Sequence, residues 1–298
     1  MITHPHTKVN FGLEVLRRRP DGYHDLETLF VPWYGFRDTL EIVPADAFAE
    51  SGPALAAQYG PAGADPGDAL VQAVSEDGRV MVTLARKEGV DWNPLEDLTV
   101  RAYRLLAADF DLPSVKILLE KKSPVGAGLG GGSADAAYAL RMLSELFGLG
   151  LPEAVLAGYA ARLGSDCAFF LGNGPAFGEG RGERLTPFRL PFSLDPGDGR
   201  DADYVLQVVA PEGISVSTAA AYSGLQPCPR DRSLREVLSR PVEEWKDLLV
   251  NDFEKTVFQK HPELAAVKRS LYESGAVYAS MSGSGSSLFA IYRKNKRI

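Results

Sequence analysis

Five glycines fall within the seven residues 126–132, between an apolar stretch at 115–119 and an amphipathic stretch that starts at Ser133. A main chain with so few side chains can approach an anion closely, and it can adopt positive φ angles where a turn needs them. Ser133 and Asp135 open the expected helix, whose free N–H groups and positive dipole end favour a phosphate. The segment 124–137 therefore predicts a phosphate-binding loop.

Three other interpretations of these glycines were weighed. A Walker A loop requires a lysine after the glycines, and none follows here. Gly126, Gly128 and Gly131 match the dinucleotide-binding pattern, but that fold needs a second parallel strand ending in an acidic residue about 20 positions on, where this sequence reads as helix. A flexible linker would not sit so tightly between an apolar strand and an amphipathic helix. Phosphate binding is therefore favoured over all three.

The elements that must position this loop can be read from hydrophobic periodicity. The sequence predicts strands at 8–15, 24–31, 38–43, 79–86, 115–119, 175–177 and 204–209, helices at 96–109, 133–147, 152–163, 231–239, 242–250 and 261–274, and a hairpin from 276–281 and 287–292. Residues 44–67 are rich in Ala, Gly and Pro and predict an exposed excursion, partly disordered. The order of elements favours an α+β fold with domains 1–178 and 179–298.

Composition limits the function classes. The 298 residues have 45% hydrophobic and 24% charged side chains, which is typical of a globular protein, and a net charge of −7 argues against a broad nucleic-acid surface. The two cysteines, Cys167 and Cys228, form no CxxC pair, and no apolar run approaches the roughly 20 residues of a membrane span. Without a signal-peptide pattern, a cytoplasmic location is expected, with neither a membrane nor a nucleic acid as partner. The oligomeric state cannot be read from the sequence.

The segment 124–137 resembles the nucleotide loop of the GHMP kinase superfamily, which includes homoserine kinase and mevalonate kinase. Two further superfamily signatures follow the same order along the chain: Lys8-Val-Asn-Phe-Gly-Leu and Met281-Ser-Gly-Ser-Gly-Ser-Ser-Leu-Phe. The stretches Arg19-Pro-Asp-Gly-Tyr-His, Leu163-Gly-Ser-Asp-Cys, Glu179-Gly-Arg-Gly-Glu, Val216-Ser-Thr and Asn251-Asp-Phe-Glu are similar to members that act on a cytidine-diphosphate-linked methylerythritol. The resemblance covers nearly the whole chain except 44–78.

The resemblance implies a two-domain α+β fold, with an N-terminal domain like ribosomal protein S5 and a ferredoxin-like C-terminal domain. It also implies transfer of a phosphoryl group from ATP, with Mg²⁺, to the 2-hydroxyl of that small molecule, in non-mevalonate isoprenoid precursor biosynthesis. Lys8 and Asp166 correspond to the family's catalytic pair. A carboxylate can accept the proton of an alcohol, and a nearby ammonium can offset charge on the transferring group. From the residues alone, Lys8 reads as an exposed strand lysine, and Asp166 reads equally well as a helix cap or a turn residue after Leu-Gly-Ser.

The remaining site residues also come from the resemblance. It implies that Tyr23 stacks on the cytosine, that His24 bonds the edge of the base, and that Tyr222 supplies a second aromatic ring. Asn10 and Thr218 are further substrate-binding candidates, and Ser133 is the candidate Mg²⁺ ligand. The expected ATP-binding residues are Pro124, Gly126, Gly128, Leu129, Gly130, Gly131, Gly132, Ser133 and Asp135. From the residues alone, Tyr23 and His24 also fit a turn whose tyrosine packs on the core.

The sequence departs from the family pattern at position 97, and it leaves two alternative functions to compare. Where the family often has Asn in a Glu-Asn-Leu context, this chain has Asp97, so the purine contact is lost, inverted or taken over by Asn93. A different GHMP small-molecule kinase would leave the stretch Asp-Gly-Tyr-His without a reason. A non-catalytic protein that kept the fold would be expected to lose Lys8, Asp166 or the glycine loop, and all three are present.

Overall fold

The structure is a computed structural model that describes residues 1–63, 65, 67–172, 174–227 and 230–294. Within this part, the strands are β1 Ile2–Thr3, β2 His6–Arg18, β3 His24–Arg37, β4 Thr39–Pro44, β5 Leu70–Val74, β6 Val80–Arg86, β7 Val115–Lys121, β8 Ala176–Glu179, β9 Arg184–Pro187, β10 Leu194–Asp195, β11 Tyr204–Val209, β12 Tyr278–Met281 and β13 Leu288–Arg293. The α-helices are α1 Ser51–Tyr59, α2 Leu98–Ala107, α3 Gly131–Leu146, α4 Glu153–Leu163, α5 Thr218–Tyr222, α6 Leu234–Leu238, α7 Phe253–Lys260 and α8 Pro262–Glu273. Short 3-10 helices occupy Pro94–Glu96, Cys167–Leu171 and Val242–Asp247.

The chain forms two compact units, and each unit is assembled from three separate stretches of sequence. The first comprises Met1–His6, Phe36–Ser123 and Gly131–Gly172, and the second comprises Thr7–Gly35, Pro124–Gly130 and Asn173–Ile298. These units are defined by packing, whereas the boundary near residue 178 stays a prediction for the limits of two sequence domains. The glycine-rich segment is divided after Gly130, so its two parts are described with their own units.

The first unit is built on a five-stranded sheet with the strand order β1-β4-β7-β6-β5. β6 and β7 are parallel, whereas β4 pairs antiparallel with β7 and β5 pairs antiparallel with β6. Val82, Ile117 and Leu119 are fully buried on these strands, as expected for branched and apolar residues that pack well on a pleated surface. The helices α2, α3 and α4 pack against one another, and α3 also contacts β4. The predicted order of strand 115–119 and helix 133–147 around the glycines is confirmed.

The stretch 44–67 is largely exposed, as predicted, but the expectation that it is partly disordered is wrong for 51–59, which form α1. The main-chain N–H groups of Glu50 and Ser51, at the start of α1, both donate to the carboxylate of Glu41 on β4, at 2.8 Å each. Leu55 on α1 is 5% exposed and packs in a small apolar cluster with Leu70 and Leu118. The carboxylate that binds the start of this helix lies on the preceding strand β4, and the apolar partners of Leu55 lie on β5 and β7, where no local sequence signal reveals them.

The second unit contains two four-stranded sheets, with the strand orders β2-β3-β8-β9 and β10-β11-β13-β12. Phe11 on β2 stacks on Phe289 on β13 with ring centroids 5.1 Å apart, and both rings are fully buried. β12 and β13 are antiparallel, and Met281 lies opposite Leu288. This pairing confirms the predicted C-terminal hairpin, and it places the Ser-Gly-Ser-Gly turn between these two strands.

Two expectations from composition can be compared with the structure in part. Among the residues that the structure describes, no helix is both long and apolar enough to cross a bilayer. Cys167 is a free thiol and fully buried, while Cys228 lies outside the described residues. The cytoplasmic location stays a prediction.

Candidate active site

Lys8 is held against the glycine loop of the second unit. Its side chain is buried although it lies on a strand, so the sequence-based interpretation as an exposed lysine is wrong. The Nζ atom donates to Oδ1 of Asn10 at 2.6 Å and to the carbonyl oxygen of Gly128 at 3.0 Å. The main-chain N–H of Lys8 donates to the carbonyl oxygen of Leu129 at 2.9 Å. The fold therefore brings together four of the predicted site residues, and it fixes the position of the Lys8 ammonium group.

Asn10 is itself fixed by its neighbours on β2 and β3. Its Nδ2 atom donates to Oγ1 of Thr28 at 3.0 Å, and the Thr28 hydroxyl donates to the carbonyl oxygen of Gly12 at 2.6 Å. Asn10 and Thr28 are both buried. Because each polar group has a defined partner, the Asn10 oxygen is oriented toward the Lys8 ammonium.

Glycine is required at position 128 by a close approach of two main chains. Gly128 has a φ of 76°, and a Cβ atom added there would lie 2.1 Å from the carbonyl oxygen of Ser282. The hydroxyl of Ser282 donates to the carbonyl oxygen of Gly128 at 3.0 Å, and the N–H of Ser287 donates to that of Ala127 at 3.1 Å. Hydrogen bonds thus join the glycine loop to the family signature that begins at Lys8 and to the one that begins at Met281.

Replacing Gly128 with alanine is expected to cost about 3 kcal/mol or more of unfolding free energy, because it combines a positive φ with a main-chain clash. Nucleotide affinity is expected to fall at the same time, since the loop must shift to make room. Urea unfolding and titration with ATP measure the two effects.

A matched control is Gly148→Ala, because Gly148 also has a positive φ of 61° but has no atom within 4 Å of an added Cβ. Only the strain of about 1 kcal/mol is expected there. Equal losses in the two variants would show that the contact with Ser282 is unimportant.

The stretch 251–254 supports the Ser-Gly-Ser-Gly turn from behind. Nδ2 of the buried Asn251 donates to the carbonyl oxygens of Met281 at 2.8 Å and Gly283 at 2.9 Å, and its Oδ1 accepts from the N–H of Phe253. Glu254 accepts from the N–H of Met281 at 2.8 Å. The sequence marked this stretch as typical of the family without indicating a role; the structure gives it one in holding the turn.

In the first unit, the helix α3 begins at Gly131. A Cβ atom at Gly131 would lie 2.4 Å from Oγ of Ser123, which follows β7. The first residue of the helix is therefore in close contact with the end of the strand. Ser133 lies half-buried in the first turn. The first N–H groups of such a helix have no partner within the helix and can bind phosphate oxygens.

A buried ionic network that the sequence did not predict fixes the start of α3. Lys121 at the end of β7 donates from Nζ to the carboxylates of Asp38 and Asp135, and the contact with Asp135 is 2.6 Å long. Asp38 also accepts from the N–H and the hydroxyl of Ser123, at 2.7 Å each. The side chains of Lys121, Asp38 and Asp135 are at most 4% exposed. The network therefore connects β7, the residue before β4 and the first turn of α3.

The charges in this network are coupled. Burial raises the pKa of Asp135 well above its ordinary value, although the neighbouring Lys121 acts in the opposite direction. Burial also opposes the charge of Lys121, but Asp135 and Asp38 outweigh it and raise the pKa of the ammonium. Since one oxygen of Asp135 faces Lys121, its predicted ATP-binding role is best read as support of the helix start, and it stays a prediction.

Asp166 lies in the first unit, just before the 3-10 helix Cys167–Leu171. It lies in a turn at the N-cap position, in keeping with the alternative interpretation as a turn residue, but its side chain makes no capping hydrogen bond to that helix. Burial, followed by the charge of Asp166, raises the pKa of the neighbouring Cys167 thiol to about 12. Cys167 is therefore a neutral core residue.

An aromatic cluster forms around the stretch Asp-Gly-Tyr-His in the second unit. The His24 ring stacks on Tyr222 with centroids 4.7 Å apart and an angle of 18°, and Tyr222 contacts Phe253 edge-on. Burial and the charge of Arg18 lower the pKa of His24, so its ring is neutral near pH 7 and can both donate and accept. The Tyr23 ring is 55% exposed, which excludes the alternative in which it packs on the core.

Thr218 begins α5, the short helix that ends at Tyr222. Its Oγ1 lies 3.3 Å from Oγ of Ser284 in the Ser-Gly-Ser-Gly turn. Oγ of Ser217 accepts from the N–H of Ala220 at 3.1 Å and so caps the helix. Thr218 and Tyr222 are therefore positioned by the same helix, one next to the turn and the other next to His24.

Asp97 caps the helix α2. Its Oδ1 accepts from the N–H and the hydroxyl of Thr99 at 2.9 and 2.7 Å, and its Oδ2 accepts from the indole N–H of Trp92 at 3.1 Å. The side-chain amide oxygen of Asn93 accepts from the N–H of Leu95 at 3.0 Å. Both Asp97 oxygens thus have structural partners, which leaves the amide nitrogen of Asn93 as the better candidate for a purine contact.

Neither a metal-ligand cluster among the described residues nor an open cavity of the second unit identifies the site. Among the described residues, no group of three or more His, Cys, Asp or Glu side chains could hold a metal ion. A cavity of about 850 Å³ in the second unit is lined by residues such as Tyr34, Phe188, Arg189 and Phe192, and it includes none of the predicted site residues. The candidate site is therefore defined by the glycine loop and the aromatic cluster.

Comparison with known families first defines the class. The model of the GHMP kinases N terminal domain matches residues 97–174, and that of the GHMP kinases C terminal domain matches residues 233–298. The α+β GHMP kinase fold expected from the sequence is confirmed, and the glycine loop lies within the first of these matches. The class of protein that the fold and the glycine loop define is a GHMP small-molecule kinase.

Individual relatives narrow this class. A protein of Bacteroides fragilis (strain YCH46) is 41% identical over 299 residues, covering 100% of this chain and 94% of the relative, and one of Bacteroides thetaiotaomicron is 42% identical, covering 98% and 92%. Both are named 4-diphosphocytidyl-2-C-methyl-D-erythritol kinase. A crystal structure of 4-(cytidine 5'-diphospho)-2C-methyl-D-erythritol kinase superposes with a TM-score of 0.70 at 31% identity, covering 97% of this chain and 89% of that one. The chain belongs to the 4-diphosphocytidyl-2-C-methyl-D-erythritol kinase family.

Proposed function

We propose that the chain transfers the γ-phosphoryl group of ATP to the 2-hydroxyl of 4-diphosphocytidyl-2-C-methyl-D-erythritol, a step of isoprenoid precursor biosynthesis. The full-length relatives of that name support the substrate and the use of ATP. The observation that carries the proposal is the 3.0 Å hydrogen bond from the Lys8 ammonium to the carbonyl oxygen of Gly128. It fixes a positive charge on the loop that is expected to bind the phosphates.

Lys8 and Asp166 are the proposed catalytic residues. Asp166 orients the 2-hydroxyl and accepts its proton as the oxygen attacks the γ-phosphorus. Lys8 offsets the negative charge that develops on the transferring group. Asn10 holds the Lys8 ammonium in place through its 2.6 Å hydrogen bond, which makes a supporting role its simplest function.

The cytidine end of the substrate is proposed to bind at the aromatic cluster. The exposed ring of Tyr23 offers a face for stacking on cytosine, and Tyr222 supplies the second ring. The neutral ring of His24 can donate to one atom of the base edge and accept from another. Thr218 reaches the same region from the start of α5.

ATP is proposed to bind with its phosphates on the glycine segment. The residues involved are the predicted ones: Pro124, Gly126, Gly128, Leu129 and Gly130 in the second unit, and Gly131, Gly132, Ser133 and Asp135 in the first. The hydroxyl of Ser133 fits Mg²⁺ as a hard oxygen ligand in the first turn of a helix, and ATP oxygens would complete its shell. When bound, Mg²⁺ would neutralise charge on the phosphates.

The direct test is to supply the purified protein with ATP and 4-diphosphocytidyl-2-C-methyl-D-erythritol. One ADP and one phosphorylated product are expected for each ATP consumed, and ADP release can be followed with a coupled assay. Homoserine and mevalonate are the controls, because they are substrates of other enzymes of this superfamily. Turnover of either control without turnover of the cytidine compound would contradict the proposal.

A further inference from the structure

The turn between β8 and β9 presents Arg181 in a defined position. The carbonyl oxygen of Gly180 accepts from the N–H of Leu26 on β3 at 2.7 Å, which ties the turn to the neighbouring strand. Inside the turn, Oε2 of Glu183 accepts from the N–H of Arg181 at 2.6 Å. Gly180 and Gly182 adopt φ angles of 72° and 105°, which other residues rarely adopt. The main chain that carries Arg181 is therefore held at several points.

The turn that carries Tyr23 is held in a similar way, but its ring is not. The N–H of Tyr23 donates to Oδ1 of Asp21 at 3.1 Å, and its carbonyl oxygen accepts from the N–H of Arg19 at 2.8 Å. Arg19 also forms an ion pair with Asp21 at 2.9 Å. These bonds fix the main chain, while the ring itself extends into solvent with 55% of its surface exposed.

Arg181 supplies the contact that the ring would otherwise lack. Its guanidinium carbon lies 4.7 Å from the centroid of the Tyr23 ring, within the range of a cation–π interaction. A planar guanidinium covers an aromatic face better than the compact ammonium of a lysine does. The contact covers one side of the ring, and since 55% of the Tyr23 surface is exposed, the side chain still has surface available for another planar group.

We propose that Arg181 is a positioning residue for the cytosine base, because it covers one face of Tyr23 and presents the other face for stacking. The proposal rests on the proposed function, in which Tyr23 stacks on the base. An exposed side chain that must become ordered on binding lowers affinity, and a contact that orders it beforehand removes part of this cost. Arg181 thus acts through Tyr23 and needs no contact with the substrate.

Kinetics of Arg181→Ala test the proposal. The KM for the cytidine substrate is expected to rise roughly two- to fivefold, a range that follows from the strength of an exposed cation–π contact, while kcat and the KM for ATP stay unchanged. Arg181→Lys should give an intermediate KM, because it retains a cation above the ring without the planar contact. Arg184→Ala is the matched control, since Arg184 is an exposed arginine on the adjoining strand β9. Equal KM values for Arg181→Ala and Arg184→Ala would overturn the proposal.

Two further measurements separate an effect through the ring from a direct bond to the substrate phosphates. Inhibition constants of cytidine and CDP should weaken by the same factor in Arg181→Ala if Arg181 acts through Tyr23. A loss confined to CDP would assign Arg181 to the phosphates and overturn the proposal. In a Tyr23→Ala background, Arg181→Ala should have no further effect on KM, and additive losses would also overturn it.

Binding of CDP and cytidine to the unsubstituted protein distinguishes a failure of the proposed cytidine site from a failure of the role of Arg181. If it binds neither CDP nor cytidine, the proposed cytidine site is contradicted, and the role of Arg181 falls with it. If it binds CDP and Arg181→Ala binds CDP equally well, only the role of Arg181 is contradicted.

Discussion

Replacing Asp166 with asparagine is expected to lower kcat by roughly 10²- to 10⁴-fold, the range contributed by a positioned general base. Asparagine has nearly the same shape, but its amide cannot accept a proton from the attacking hydroxyl. The affinity for ATP is expected to remain within about twofold, because the phosphates are proposed to bind main-chain groups of the glycine segment. Steady-state kinetics and ATP titration measure these two quantities.

The control for the loss of a negative charge is Asp111→Asn. Asp111 lies in the same unit, and its side chain is fully exposed at the edge of an ion pair with Arg79. This variant should keep its activity. If Asp166→Asn also kept more than about a tenth of the original kcat, Asp166 could not be the general base.

Replacing Lys121 with methionine is expected to lower the unfolding free energy by about 3–5 kcal/mol, which is the cost of removing one partner from a buried ion pair. The variant leaves the carboxylates of Asp38 and Asp135 buried without their shared cation. Because α3 then loses its tie to β7, ATP affinity should fall as well. Urea unfolding with a spectroscopic probe measures the stability change.

The loss of stability in Lys121→Met is expected to depend on pH. Burial raises the pKa of Asp135 above its ordinary value of about 4, and Lys121→Met removes the ammonium that opposes this shift, so the folded variant binds more protons than the unfolded one. Stability therefore falls as the pH rises above that value, and the deficit relative to the unsubstituted protein shrinks as the pH falls toward 4.

The adjacent Lys122 provides the matched control. Its side chain is 51% exposed and forms an ion pair with Glu120 at 2.7 Å. Lys122→Met should cost at most about 1 kcal/mol, as is usual for exposed pairs. A Lys121→Met variant as stable as Lys122→Met at neutral pH would contradict the importance of the network.

Local patterns predicted the parts of this fold that are encoded locally. The glycine segment between β7 and α3 and the pairing of β12 with β13 are each specified by residues adjacent in sequence, and both were predicted. The GHMP resemblance supplied the activity, because no spacing rule connects Lys8 with Asp166. Periodicity alone would have left both residues with ordinary structural roles.

The structural features that the sequence did not predict depend on contacts with other elements of the fold. Lys8 is buried because Gly128 and Leu129 cover it, and a strand pattern gives no sign of a loop that arrives 120 residues later. The helix α1 begins at a carboxylate of β4, and Asp135 points inward because Lys121 is there to receive it. Each of these outcomes is decided by which strands become neighbours.

The joining of Gly128 to Ser282 has a consequence for how the protein is made on the ribosome. The glycine loop is synthesised early, but the carbonyl and hydroxyl groups that brace it belong to the turn before the last strand. A nascent chain that has not yet reached this turn has the loop without its brace. Nucleotide binding in this geometry is therefore acquired only after this turn has been synthesised, and truncation before residue 282 should abolish it.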